Sequence, residues 1–456
     1  MSALLDSRAA RLLPDGEALV RHDAAVFDLR RRRDAAVAAL PDFEALRAHA
    51  EAIKAHTLDH LDTYLERFES QASAAGARVH WAEDGVAHNR IVHELLEARG
   101  VRRVVKSKSM LTEECGLNPY LEAQGVEVVD TDLGERIVQL GGELPSHIVV
   151  PAVHRSRQEI GTLFHTHMGI PSGESDPVRL TEHARRDLRP RFLAAEAGIT
   201  GVNFAIAETG SIVVCTNEGN ADLGMGLPPL HIACMGIEKV IPTLADLATL
   251  LRLLARSATG QPITAYTSLV TGPRRGGELH IVIVDNGRSR LLASSAHRQA
   301  LACIRCGACL NTCPVYRRAG GHAYGLAVAG PIGSVLAPAL QSGDAARELP
   351  FASTLCGSCS AVCPVRIDLH DQLLVWRRTR ARPRGIESGL YRLAAAVLAR
   401  PALFRGAGRL LRIVWPLLSR HWLGNPARAW RVGRELPEHP GASFAARYRR
   451  LREAKR

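Results

Sequence analysis

The chain has 456 residues, a formal net charge of +12, ten cysteines and 5% aromatic residues. Its length supports two or three domains around a sizeable core and excludes a small secreted disulfide scaffold. No run of eighteen apolar residues occurs, so nothing is expected to span a membrane. The arginines are scattered without a nucleic-acid fold signature, so the basic charge points to acidic partners or an anionic surface rather than nucleic acid.

Residues 1 to about 45 mix alanines with Arg30–Arg33 and read as a helix with a solvated basic face. The first residues are polar and lack an apolar signal core, so a reducing, cytoplasmic setting is expected. Leu46, Ala50, Ile53, Leu58, Leu61, Leu65 and Phe68 recur at helical spacing, with Pro41-Asp42 as the start. A strand at Ala77–Trp81, a helix over Val86–Arg99, a strand at Val101–Lys106, a helix ending at Leu121–Gln124 and a strand at Val126–Asp130 follow. This alternation predicts a mostly parallel sheet flanked by helices. Ser107–Glu114 comes just after a strand and opens a helix, where such sheets bind ligands. Lys108 with the hydroxyls of Ser107, Ser109 and Thr112 suits an anion, and the same hydroxyls suit a plain helix cap.

His147–Pro151 reads as a strand, and Thr181–Leu188 and Phe192–Gly198 as two helices. His165 and His167 have no third metal partner nearby and read as polar surface. Strands at Asn203–Ala207 and Ser211–Cys215 flank Glu208-Thr209-Gly210, a tight-turn signal. Glu208 at that tip and Glu218 in the Asn217–Asn220 loop put carboxylates at strand ends, to meet a hydroxylated or acyl substrate or to cap turns. Lys108, Glu208 and Glu218 are therefore the catalytic candidates. A helix over Leu244–Ala255 and strands at Ala265–Thr271 and Glu278–Val284, the last ending in an Asn286-Gly287 turn, complete this part.

Two cysteine runs then dominate. Cys303, Cys306, Cys309 and Cys313-Pro314 have the C-x2-C-x2-C-x3-C-P spacing that holds cubane iron–sulfur clusters. Three thiolates two residues apart reach three corners of one cluster, and the fourth turns away to ligate the other. Cys356, Cys359 and Cys363-Pro364 repeat the run, with Ser353 where its first thiolate would stand. Interleaving assigns Cys303, Cys306, Cys309 and Cys363 to the first cluster and Cys313, Cys356 and Cys359 to the second. The second set is one ligand short. A [3Fe–4S] cluster, a cubane with hydroxide or Ser353 on one iron, and a ligand from elsewhere all remain open. Cys115, Cys215 and Cys234 sit in apolar or strand-like sequence and read as buried structural thiols. The stretch between the runs fits a mostly helical dicluster domain. Beyond Pro364, Trp376–Arg382 and Leu390–Leu418, with Trp422 and Trp430, read as Arg-rich amphipathic helices. These dock on a partner or an anionic membrane face, or pack on their own domain.

Together these segments resemble the lactate-utilisation iron–sulfur protein family, B type, over nearly the whole chain. The resemblance rests on Ser107–Glu114, Ala207–Ser211, Asn217–Asn220, Asp285–Arg288, both cysteine runs and the tail Leu436–Phe444. It implies an α/β domain of the sugar-isomerase/CoA-transferase-like class, a mostly α-helical dicluster domain and a basic helical tail. On this reading residues 1–75 are an N-terminal helical segment, 76–293 the α/β domain, 294–385 the dicluster domain and 386–456 the tail. It also implies two [4Fe–4S] clusters, the second with three cysteines, so that Ser353 is expected. Members look like electron carriers that work with two partner subunits in oxidising L-lactate to pyruvate and pass electrons to an unidentified acceptor. If the chain binds lactate itself, Lys108 holds the carboxylate and Glu208 or Glu218 takes the hydroxyl proton. The cysteine runs alone also fit an electron carrier for glycolate or a heterodisulfide, or a non-redox small-acid-binding protein with structural clusters.

Overall fold

The structure is a computed structural model that describes residues 16–341, 343–380, 386–418 and 441–454. Two compact units result, one ending at Thr379 and the other beginning at Arg380.

The first unit is built on ten strands: β1 (Arg78–Ala82), β2 (Arg103–Lys106), β3 (Glu127–Asp130), β4 (Ala197–Gly201), β5 (Phe204–Ile206), β6 (Ser211–Thr216), β7 (Leu230–Gly236), β8 (Val240–Ile241), β9 (Tyr266–Val270) and β10 (Glu278–Val284). Six form one sheet in the order β1-β10-β7-β4-β2-β3, and every pair in it is parallel. The interior strands β10 and β7 are apolar along almost their whole length, as burial on both faces requires. A second sheet, in the order β8-β5-β6-β9, is mixed: β6 is antiparallel to β5 and β9, while β8 is parallel to β5. The tight turn at Glu208–Gly210 joins β5 to β6, and Gly210 adopts the positive φ that it needs.

Three expectations change. His147–Pro151 is a turn rather than a strand. The buried His147 Nδ1 accepts the N–H groups of Val149 and Val150 at 3.0 and 3.2 Å, which curls the β-branched run back on itself. The second helix expected over Phe192–Gly198 is absent. One helix, Pro177–Ala194, runs through Phe192, and Ala197–Gly201 is the buried strand β4. Short apolar runs of this kind fit either state. Arg30–Arg33 is more than a solvated face. Arg31 and Arg32 pair with Asp28, but Arg33 is buried and donates to the Val362 carbonyl at 3.1 Å, and Arg30 donates to the Thr312 hydroxyl.

Those two bonds tie the N-terminal helix Gly16–Ala38 to both cysteine segments. Arg47, from the helix Phe43–Asp59, adds a bond to the Cys363 carbonyl at 3.0 Å. One core runs through Val26, Phe43, Leu250, Leu310, Tyr316 and Val335, so the cysteine segments share buried surface with the N-terminal helices and with the helix Leu244–Ala258.

The second unit contains the helices Ile386–Ala399, Pro401–Leu418 and Phe444–Glu453. Leu390, Leu393, Leu398, Leu403, Leu410 and Leu411 are exposed on the first two. Trp422, Trp430 and residues 436–440 of the expected tail lie outside the described residues. Among the described residues, no helix is long and apolar enough to cross a membrane.

Candidate metal centres and an adjoining cavity

The two cysteine runs fold into the same loop. In the first, Arg305 and Gly307 take φ of 61° and 76°; in the second, Leu355 and Gly357 take 55° and 78°. A short helix follows each glycine, Ala308–Thr312 and Ser358–Val362. The Arg305 N–H points at Cys303 Sγ (3.4 Å), and the Leu355 N–H points at Ser353 Oγ (3.1 Å). Ser353 therefore keeps the place of the first cysteine, with oxygen for sulfur.

Cys303, Cys306, Cys309 and Cys363 line one small cavity of about 20 Å³, together with Ile148, Ile332, Val365 and Ile367. This is the set that interleaving predicts. Four sulfurs in an apolar shell, with the Arg305 and Ile367 N–H groups directed at two of them, suit a thiolate-ligated cluster. Burial pushes the metal-free thiols up, Cys363 to about 12 and Cys306 and Cys309 further, so cluster binding must displace their protons. Cys313, Cys356 and Cys359 sit near enough to perturb one another. Cys313 also receives the Tyr316 N–H at 3.5 Å. Here the setting is wetter: Cys356 is exposed, and hydrogen bonds from the Thr354 side chain and the Ser358 N–H hold its thiol low. Cys115, Cys215 and Cys234 belong to the α/β part, with thiols raised by burial to about 12 for Cys115 and about 11 for Cys215.

A larger cavity of about 340 Å³ opens at the carboxyl ends of β2, β4 and β7. That is the ligand-binding edge of a parallel sheet. Ser107–Leu111, Gly201–Asn203, Gly236, Glu238 and Lys239 contribute to its walls, and Cys306 of the first cysteine set borders it. Of the catalytic candidates, Lys108 and Glu218 reach this cavity, and Glu208 is not among its lining residues. Lys108 Nζ is held by Asp132 Oδ2 at 3.1 Å and the Val149 carbonyl at 2.9 Å. Ser109 caps the helix Met110–Cys115 through the Thr112 N–H. Glu218 accepts from the Leu133 N–H at 3.1 Å; partial burial and neighbouring Asp132 push its carboxyl above the usual range. Glu208 accepts from the Leu244 N–H at 3.0 Å, at the start of the helix Leu244–Ala258.

The sequence reading missed two buried ion networks. Lys106, one strand residue before the loop, is fully buried with its Nζ 2.9 Å from Glu113, 2.8 Å from Asp130 and 3.8 Å from Glu135. Burial drives the Glu135 carboxyl well up, and Asp130, Glu135 and Glu113 drive the Lys106 ammonium up against the opposing effect of its burial. Arg288 forks onto Glu114 (2.9 and 3.1 Å) and donates through Nε to Glu238 (2.7 Å). Gly236 makes room for this pair, because a Cβ there would lie 2.1 Å from the Glu238 carboxylate. Burial alone would raise Glu238, but Arg288, Lys239 and Arg305 hold it at about 2.

Comparison with known proteins agrees with this architecture. Residues 65–291 match the family described as LUD domain, and residues 299–367 match that described as 4Fe-4S dicluster domain. The chain is 43% identical to lactate utilization protein B of Geobacillus thermodenitrificans, over 89% of this chain and 88% of that one. The chain belongs to the lactate utilization protein B family. A second member, from Shouchella clausii, is 44% identical over 84% of this chain and 82% of its own. An Escherichia coli relative named uncharacterized electron transport protein YkgF is 41% identical over 90% of this chain and 89% of its own.

Proposed function

We propose that this chain is the iron–sulfur electron-transfer component of a multi-subunit system that oxidises L-lactate to pyruvate. The observation that carries the reading is the position of Cys306, which lines the four-cysteine pocket and also borders the larger cavity at the sheet edge. The relatives' names supply lactate and electron transport.

Cys303, Cys306, Cys309 and Cys363 hold one [4Fe–4S] cluster, and Cys313, Cys356 and Cys359 hold a second. The clusters supply one-electron transfer when bound. The chain's own residues set the conditions for it. Ile148, Ile332 and Ile367 exclude water from the first site, and Arg33 and Arg47 place positive charge near its sulfurs. The exposed Cys356 leaves the second site open to a partner's redox centre. Conversion of a 2-hydroxy acid to a 2-oxo acid releases two electrons and two protons. The remaining steps of that conversion fall to two partner subunits and an electron acceptor.

Anaerobic EPR with iron counting tests this. About eight irons per chain, with a signal that appears on adding lactate together with the partner subunits, are expected for two cubanes. Clusters that dithionite reduces but that stay oxidised with lactate and the complete system would overturn it.

A further inference from the structure

We propose that Lys239 and Arg305 form a binding site for the carboxylate of a small organic acid. This inference deepens the electron-transfer reading and rests on it for the choice of acid.

Four cations line the 340 Å³ cavity: Lys108, Lys239, Arg288 and Arg305. Two are already engaged. Lys108 is bound to Asp132 and a carbonyl, and Arg288 to Glu114 and Glu238. The other two act on Glu238 only at longer range, and neither side chain makes a hydrogen bond among the described residues. The Lys239 ammonium feels the Glu238 charge but makes no side-chain hydrogen bond or close ion pair among the described residues. Arg305 has a buried Nη1 without an acceptor, and its acidic neighbour, Glu238, stands 3.7 Å from Nη2 with its other oxygen taken by Arg288. A buried guanidinium donor with no partner is costly, so an acceptor from outside the chain is the natural occupant. A carboxylate matches the planar fork of an arginine and leaves an oxygen for the ammonium.

Charge balance for the cysteine sulfurs is the competing role, and the surroundings argue against it. Lys54, Arg33 and Arg47 also lie near those sulfurs, but each is held by a backbone carbonyl, of Glu238, Val362 and Cys363 respectively. The loop does not require an arginine either. Leu355 occupies the matching place in the second loop with nearly the same φ. The first loop carries a cation at that position where it faces a cavity.

Calorimetric titration of the cluster-loaded chain under anaerobic conditions tests the site. The probes are pyruvate, L-lactate and lactamide, which keeps the hydroxyl and lacks the charge. Both acids should bind and lactamide should not. Lys239→Gln and Arg305→Leu should each weaken binding by about tenfold or more, as expected for a lost hydrogen bond to a charged group, and Lys239→Arg should restore part of it. Lys239 stands outside the cysteine loop, so its variants serve even if Arg305→Leu disturbs cluster assembly, which iron counting reports. Unchanged affinity in Lys239→Gln, equal binding of lactamide, or no binding of either acid overturns the site. EPR of the same preparations with lactate and partner subunits separates the two proposals. Reduction that is equal in wild type and Lys239→Gln leaves the carrier standing without this carboxylate site. Clusters that stay oxidised in wild type remove the carrier reading whatever the titration gives.

Discussion

The two cysteine loops share one backbone and differ in what surrounds it. Around the first, three of four sulfurs are buried, isoleucines close the shell, and Arg305 faces a cavity at the sheet edge. Around the second, a hydroxyl replaces one thiol, Leu355 replaces the arginine, and Cys356 is exposed. Repetition of a loop thus fixes where the cysteines stand, while the neighbours decide whether a loop faces the larger cavity or the outside.

Crossing the ligand sets gives the largest test. Cys363→Ala, although it lies in the second run, should remove the same EPR signal as Cys306→Ala and leave about four irons per chain. Cys313→Ala and Cys356→Ala should both remove the other signal. Pairing by run instead of by pocket would break the comparison.

The glycines sharpen it. Both sit at positive φ, where an added Cβ costs about 1 kcal/mol. At Gly307 that Cβ would also come within 3.1 Å of the buried His147 ring, whereas at Gly357 the nearest atom is 3.9 Å away. Gly307→Ala should therefore lower the melting temperature more than Gly357→Ala, by a further ~1 kcal/mol in denaturant titration.

Ser353→Cys adds the missing thiol where the Leu355 N–H already points. Its effect should appear as an altered spectrum and potential of the second site alone, with unchanged iron content and little change in stability.

The smallest effect is acid sensitivity beside the first loop. Glu238 has a folded value of about 2, below its ordinary 4.5, so its contribution to stability is complete above about 4.5. That contribution is lost as pH falls toward 2. The metal-free chain should melt progressively lower from pH 5 to pH 3, and Glu238→Gln should flatten this slope from a lower starting point.

Much of this was legible in the sequence because it is local. Cysteine spacing groups Cys363 with the first run, and the same four cysteines line one cavity, while strand–helix alternation carried the parallel sheet. What was not legible depends on distant segments. The second sheet needs β9 to return to β6 from some fifty residues away. Lys108 looked like the anion ligand because it stands among hydroxyls, yet Asp132 and Val149 claim it. Lys239 sits in an ordinary-looking turn, and only folding brings it to the same cavity as Arg305. An arginine between two cysteines was a signal available in the sequence and passed over. His147 read as part of a strand because a side chain that captures its own following amides leaves no trace in periodicity.

The position of Cys363 among the first-loop sulfurs has a consequence for assembly. One inorganic core gripping Cys309 and Cys363 would clasp shut about fifty residues of intervening chain, as a disulfide would, removing on the order of 4 kcal/mol of loop-closure freedom from the unfolded state. The second core, gripping Cys313 and Cys356, would close a slightly shorter ring nested inside the first. The cofactors would then serve as two concentric hoops, and an organism starved of iron would hold this segment less firmly as well as lose its redox capacity.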